Sequence, residues 1–172
     1  MSYNKLQFNG NYHQGLFKPI NPNKYIGNIN IIKYNSSWEL KFMQFCDMTV
    51  DVVKWGSELD IMVVPYELPD YKTNTKKIHR YYPDFYMEIK TPNPNIYRRY
   101  VIEIKPHAET IKPTPPKTLT GKALESYEYK VKMFTKNVVK WSYAKEYFKR
   151  QNIEFRVLDE TFFDRCGYVK IF

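Results

Sequence analysis

The residues whose types and spacing could do chemistry lie between His79 and Lys105. The stretch reads His79-Arg80-Tyr81-Tyr82-Pro83-Asp84-Phe85-Tyr86-Met87-Glu88-Ile89-Lys90, then a Pro/Asn-rich turn, then Arg99-Tyr100-Val101-Ile102-Glu103-Ile104-Lys105. Two β-rich segments about a short turn predict a hairpin. Side chains alternate along a strand, so Asp84, Tyr86 and Glu88 share one face of the first arm. On the second arm Val101, Glu103 and Lys105 face one way, Ile102 and Ile104 the other. Glu103 and Lys105 then stand roughly 7 Å apart on one face, so the carboxylate can hold a metal while the ammonium sits beside its water. Glu88-Ile89-Lys90 repeats the Glu-x-Lys pattern, but roughly 13 Å of extended strand separates Glu88 from Asp84, too far to chelate one ion. Asp84 and Glu103 sit on neighbouring strands and can meet where those strands bend. The chemistry is assigned to Glu103 and Lys105, and Glu88 and Lys90 are read as surface charges.

Carboxylates at this spacing suit Mg2+, a hard ion that keeps waters, with Mn2+ as a workable substitute. Such an ion neutralises a phosphate and lowers the pKa of a bound water, while a lysine stabilises charge on the phosphoryl oxygens. The chemistry this points to is phosphodiester hydrolysis. His79 and His107 flank the stretch and are read as polar loop residues.

These residues need elements to place them. Residues 1–35 are polar and punctuated by Pro19, Pro22 and Gly27, which predicts an extended N-terminal arm anchored by scattered aromatics. A serine cap, Ser36 or Ser37, opens a helix to Cys46 with Trp38, Leu40, Phe42, Met43 and Phe45 as its apolar face. Glu39 falls in its first turn, where the helix dipole alone would account for a carboxylate. Val50–Trp55 and Asp60–Tyr66 read as strands, the second apolar enough to be covered on both faces. Pro69–Lys77 reads as a loop. Four prolines between Pro106 and Pro116 exclude strand or helix there.

From about Thr120 a helical pattern runs through Leu124, Tyr127, Val131, Phe134, Val138, Trp141, Ala144 and Phe148, with Asn137 a candidate break. Its other face carries Lys130, Lys132, Lys136, Lys140, Lys145, Lys149 and Arg150. A strand over Ile153–Leu158 follows, and Tyr168–Phe172 could add an edge strand. This order predicts an α/β architecture, a small mixed sheet with helices on its faces. Residues 36–172 form one domain.

The chain has 172 residues, enough for one domain with a proper core, and its 43% hydrophobic content excludes a disordered chain. A net charge of +9 and sixteen tyrosines favour a polyanionic partner, because cations neutralise phosphates and rings stack on bases. Double-stranded DNA is the expected partner, with Arg80, Lys140 and Lys145 as candidate contacts. Cys46 and Cys166 lie far apart, without metal-ligand spacing, which argues against a zinc site. No apolar run approaches membrane-spanning length and no signal stretch opens the chain, so a soluble protein without a membrane partner is expected.

Pro83-Asp84 followed by Glu103-Ile104-Lys105, with hydrophobic strands around both, resembles the PD-(D/E)xK nuclease superfamily. Ser37-Trp38-Glu39 looks like that superfamily's upstream acidic motif. The resemblance implies a restriction-endonuclease-like α-β-β-β-α-β core over roughly Ser36 to Leu158. It also implies Glu39, Asp84 and Glu103 as acidic groups, Lys105 as catalytic lysine, and the Ile104 carbonyl as a further metal ligand. Longer strings are similar to the head-completion nucleases of tailed bacteriophages: Asn23-Lys24-Tyr25-Ile26-Gly27, Ser36-Ser37-Trp38-Glu39, Trp55-Gly56-Ser57-Glu58, Arg80 to Phe85, Glu103 to Pro106, and Asn137, Lys140-Trp141 and Ala144. That resemblance implies endonuclease and exonuclease activity on packaged DNA before heads join tails. It places the protein in the host cytoplasm or the virion, with head or neck proteins as partners. A repair, recombination or transposition nuclease would share these core motifs. A structural neck or DNA-binding protein would share the fold without turnover, and intact Asp84, Glu103 and Lys105 argue against it.

Overall fold

The computed structural model describes residues 14–70, 75–118 and 120–165. The possible edge strand at Tyr168–Phe172 and the second cysteine, Cys166, lie outside them. Two short strands, β1 (Gly15–Phe17) and β2 (Ile32–Tyr34), pair antiparallel in the segment expected as an arm. That segment is tied down by Asp47, which is buried at the far end of the first helix. Its carboxylate accepts the N–H groups of Ile20 (2.7 Å) and Asn21 (3.0 Å). The Lys24 ammonium caps the carbonyls of Asp47 and Thr49, where the helix dipole favours a cation.

Helix α1 (Ser37–Met48) begins where the serine cap predicts, with the Ser36 hydroxyl accepting the Glu39 N–H. It packs Phe42, Met43 and Cys46 onto one face of a four-stranded sheet. That sheet runs β3 (Val52–Ser57), β6 (Phe85–Lys90), β7 (Tyr97–Ile104) and β8 (Glu154–Leu158), in this order. The first two pairings are antiparallel; β7 and β8 are parallel. A parallel pair needs a crossover, and α3 (Gly121–Lys149) supplies it. The α-β-β-β-α-β order of the core is therefore α1, β3, β6, β7, α3, β8. Two short helices, α2 (His107–Thr110) and α4 (Glu160–Arg165), stand beside the sheet's end. The prolines expected to exclude helix after Lys105 do not prevent α2, because Pro106 precedes its first turn, where its missing N–H costs no bond.

Alternation divides the core. Phe85, Met87, Tyr100, Ile102 and Ile104 join α1 and Phe163, while Tyr86 and Val101 join Ala144 and Phe148 of α3 on the opposite face. This second face is also covered by a two-stranded ribbon, β4 (Val64–Asp70) with β5 (Thr75–Tyr81). Three expectations are corrected here. The apolar run ending at Tyr66 enters this ribbon and not the central sheet: Asp60–Met62 is a 3-10 turn, and Val64 and Tyr66 pack beneath α3. His79, Arg80 and Tyr81 belong to β5, so the hairpin's first arm starts at Phe85 and part of the expected Pro69–Lys77 loop is strand. Asn137 does not break α3; it is buried within a continuous helix. Among the described residues, no helix is long and apolar enough to cross a membrane.

Candidate active site

In β6 and β7, Phe85 pairs with Ile102, so one further step of the register sets Asp84 opposite Glu103. Asp84 lies just outside the strand, where its carboxylate can turn toward β7. Its Oδ2 accepts the Ile104 N–H at 2.7 Å. Its own carbonyl accepts the N–H of Glu58, a residue held at φ 47 just after β3. Asp84 is thus anchored from both neighbouring strands.

Glu103 points to the α3 face, as the alternation predicts, and is 2% exposed. Three groups from three elements meet it there. The Tyr81 hydroxyl of β5 donates to Oε2 at 2.7 Å, and the Lys105 and Lys140 ammonium groups lie 3.3 and 3.7 Å from Oε1. Lys140 also stands over the Tyr81 ring, 4.6 Å from its centre. A buried carboxylate is costly without partners, and this cage supplies them.

The electrostatics follow from that crowding. Burial, reinforced by the Glu103 charge, pushes the Asp84 carboxyl up to about 8, against the pull of Lys105 and the Ile104 N–H. Burial alone would lower Lys105, but Glu103 and Asp84 outweigh it and hold its ammonium above its ordinary value. For Lys140 burial wins, despite Glu103, and its value falls below the ordinary one. Tyr81 is pushed far up by burial and by Glu103, so its phenol stays protonated and donates.

Glu39 is placed differently. Its Oε2 accepts the Asn35 N–H at 2.7 Å and its Oε1 takes the Ser36 hydroxyl at 3.2 Å, a capping arrangement at the start of α1. Burial raises its carboxyl, with Glu58 adding and Lys105 opposing, so it feels the site's charges while serving the helix. Among the described residues no three His, Cys, Asp or Glu side chains group closely enough to hold a metal. The donor set nearest to one is Asp84 and Glu103, both hard oxygen ligands. Two carboxylates suit a cation that retains waters, and burial together with the Glu103 charge raises Asp84, which a bound cation would offset.

The family model for the N-terminal domain of TnsA-like endonucleases matches residues 49–160. The chain belongs to this endonuclease family. It is also 30% identical over 156 residues to the head completion nuclease of Enterobacteria phage T4, covering 91% of this chain and 97% of that protein. No solved structure matches it. The protein is therefore a nuclease with a restriction-endonuclease-like fold, a class that generally uses divalent metals.

The remaining candidates in the nuclease are dispersed. Arg80 is exposed on β5, and Lys145 is exposed on α3. Glu88 accepts the Tyr86 hydroxyl at 2.6 Å, and Lys90 is exposed. The His107 ring pairs with Asp159 at 2.7 Å, and His79 stacks near Tyr66. Sequence reasoning left two participants unassigned. Tyr81 has a legible signal, an aromatic string leading into Pro83-Asp84, but its hydroxyl reaches Glu103 only through the ribbon's fold. Glu58 carries no local signal beyond its place after Gly56-Ser57.

Proposed function

We propose that the nuclease is a divalent-metal-dependent deoxyribonuclease, with Mg2+ as its natural ion and Mn2+ as a substitute. Its substrate is double-stranded viral DNA, cut during completion of the phage head before tail joining. The observation that carries this reading is the pairing of Asp84 with a buried Glu103 under two lysines. Similarity to the T4 head completion nuclease across nearly both full lengths supports the biological setting.

Asp84 and Glu103 would hold the ion. The Ile104 carbonyl would join them, because the N–H and C=O of a strand residue point to the same side and the Ile104 N–H already faces Asp84. A bound divalent cation would supply charge neutralisation at the phosphate and a more acidic water. Lys105, kept protonated by its two carboxylate neighbours, stabilises charge developing on the phosphoryl oxygens. Tyr81 and Lys140 fix the rotamer of Glu103, so its lone pairs are aimed before substrate arrives. Glu39 contributes negative potential from the cap of α1, and stands as a further ligand if its hydrogen bonds to Asn35 and Ser36 open.

Supercoiled plasmid tests the reading. With Mg2+ the parent is expected to nick it, with EDTA to leave it intact, and Asp84→Asn to leave it intact in either case. Nicking in EDTA, or equal nicking by Asp84→Asn, would refute the metal site.

A further inference from the structure

At the opposite end of β7 from the carboxylates, a cleft of about 590 Å³ opens between that strand, β8 and the last turns of α3. Arg98, Arg99, Lys145 and Lys149 line it, against a single carboxylate, Glu154. The Glu154 charge is already met by the Arg156 guanidinium at 2.8 Å. Among the described residues no ion pair engages Arg98, Lys145 or Lys149, and all three are exposed. Arg99 is partly ordered by donating to the Gln151 carbonyl at 3.3 Å. The carbonyls of the last turn of α3 are occupied by the N–H groups of Arg150, Gln151, Asn152 and Ile153, so few are left to repel an anion.

The position of this cleft is fixed by the same alternation that places the active site. Arg99 and Glu103 lie on one face of β7, about 13 Å apart. Alongside, α3 runs back from Lys140 to Lys149 over about 13 Å. Nine residues at about 100° each put Lys149 half a turn around α3 from Lys140, so Lys145 and Lys149 form the basic flank at the cleft while Lys140 turns to Glu103.

We infer that the cleft is an anchor for the DNA backbone, gripping a phosphate on the duplex that is being cut. Resting on the proposed reading of a nuclease on duplex DNA, it adds where the duplex is held away from the carboxylates: at the end of α3, on its β8 side. The gripped phosphate lies roughly four base pairs from the scissile one, the span of about 13 Å at about 3.4 Å of duplex per step. Non-reacting contacts of this kind hold register and carry no sequence information, so the anchor implies cutting without a base-specific site at that distance.

The test uses the full chain carrying Lys105→Ala, so that DNA is bound and not consumed. Binding of a duplex of about 30 base pairs is followed by fluorescence anisotropy between about 50 and 200 mM salt. Adding Lys145→Gln with Lys149→Gln is expected to weaken binding about tenfold and to flatten the log–log salt slope by about 1.8, the loss of two phosphate contacts. Lys18→Gln with Lys33→Gln, exposed on other elements and equal in charge change, is expected to move neither by more than about twofold. An unchanged slope in the first pair, or equal losses in both pairs, overturns the anchor while leaving the nuclease reading intact. A parent protein that binds duplex and fails to nick plasmid with Mg2+ refutes the proposed catalytic reading alone; a Lys105→Ala protein that binds no duplex refutes the anchor.

Discussion

The same tripeptide pattern, Glu-Ile-Lys, occurs on two neighbouring strands of one sheet, and the two copies have opposite fates. Glu88-Ile89-Lys90 ends β6 at the edge nearest the hairpin turn; its glutamate takes a tyrosine hydroxyl and its lysine faces solvent. Glu103-Ile104-Lys105 ends β7 at the other edge of the sheet. There its glutamate is buried against Tyr81 and Lys140, and its central N–H holds Asp84. The difference is one of address. Chain direction reverses between β6 and β7, so only the second copy ends where Asp84 leads into β6 and where α3 and the ribbon close over the strand. On the proposed reading, chemistry in this protein is a property of the sheet's end and not of the tripeptide.

The largest effects should fall where the two copies differ most. Glu103→Gln is expected to lower plasmid nicking about a thousandfold or more, since it removes one of the two carboxylates that converge at the end of β7. Retained activity would mean that the Glu88 copy, or Glu39, had been doing the work. Lys105→Ala should cost about a hundred- to a thousandfold in kcat, with KM for DNA little changed, if its ammonium acts mainly in the transition state.

Next come the partners that the first copy lacks. Tyr81→Phe leaves a buried carboxylate oxygen without its donor and should destabilise the protein by about 1–3 kcal/mol in urea unfolding. Lys140→Met should reduce nicking about tenfold, through a less fixed Glu103. If either change were neutral in both stability and rate, the cage around Glu103 would have no function.

A smaller effect is expected in the metal-free protein as a function of pH. The Asp84 carboxyl is raised to about 8, above its unfolded value, so between the two the folded state binds the extra proton. Stability must therefore fall as pH rises from about 5 to 8, and Asp84→Asn should flatten that slope. Added Mg2+ at pH 8 should raise the melting temperature of the parent and not of the variant. A melting temperature of the parent that rises over the same pH range would reverse the sign of the Asp84 environment.

Much of this was legible in the chain. The serine cap and 3.6-residue period mark α1 and α3, and two-residue alternation puts Glu103 and Lys105 on one face of β7. What escaped is non-local. Thr75–Tyr81 is lysine-bearing and exposed along nearly its whole length, so it shows no burial alternation, and its pairing with β4 makes it a strand. Asn137 has a cap's propensity, but it is buried within a continuous α3. Glu39 looks like a helix-start carboxylate, and its hydrogen bonds agree; only the shared field with Lys105 and Glu58 ties it to the site. The grip of Tyr81 on Glu103 depends on where the ribbon lies, which no local pattern encodes.

The most direct test sets the two copies against each other in one assay. Glu103→Gln with Lys105→Ala, and separately Glu88→Gln with Lys90→Ala, are compared with the parent for Mg2+-dependent nicking of supercoiled plasmid. The first pair should abolish nicking and the second should leave it within about twofold. Comparable losses in both, or loss only in the second, would contradict the assignment of the chemistry to the end of β7.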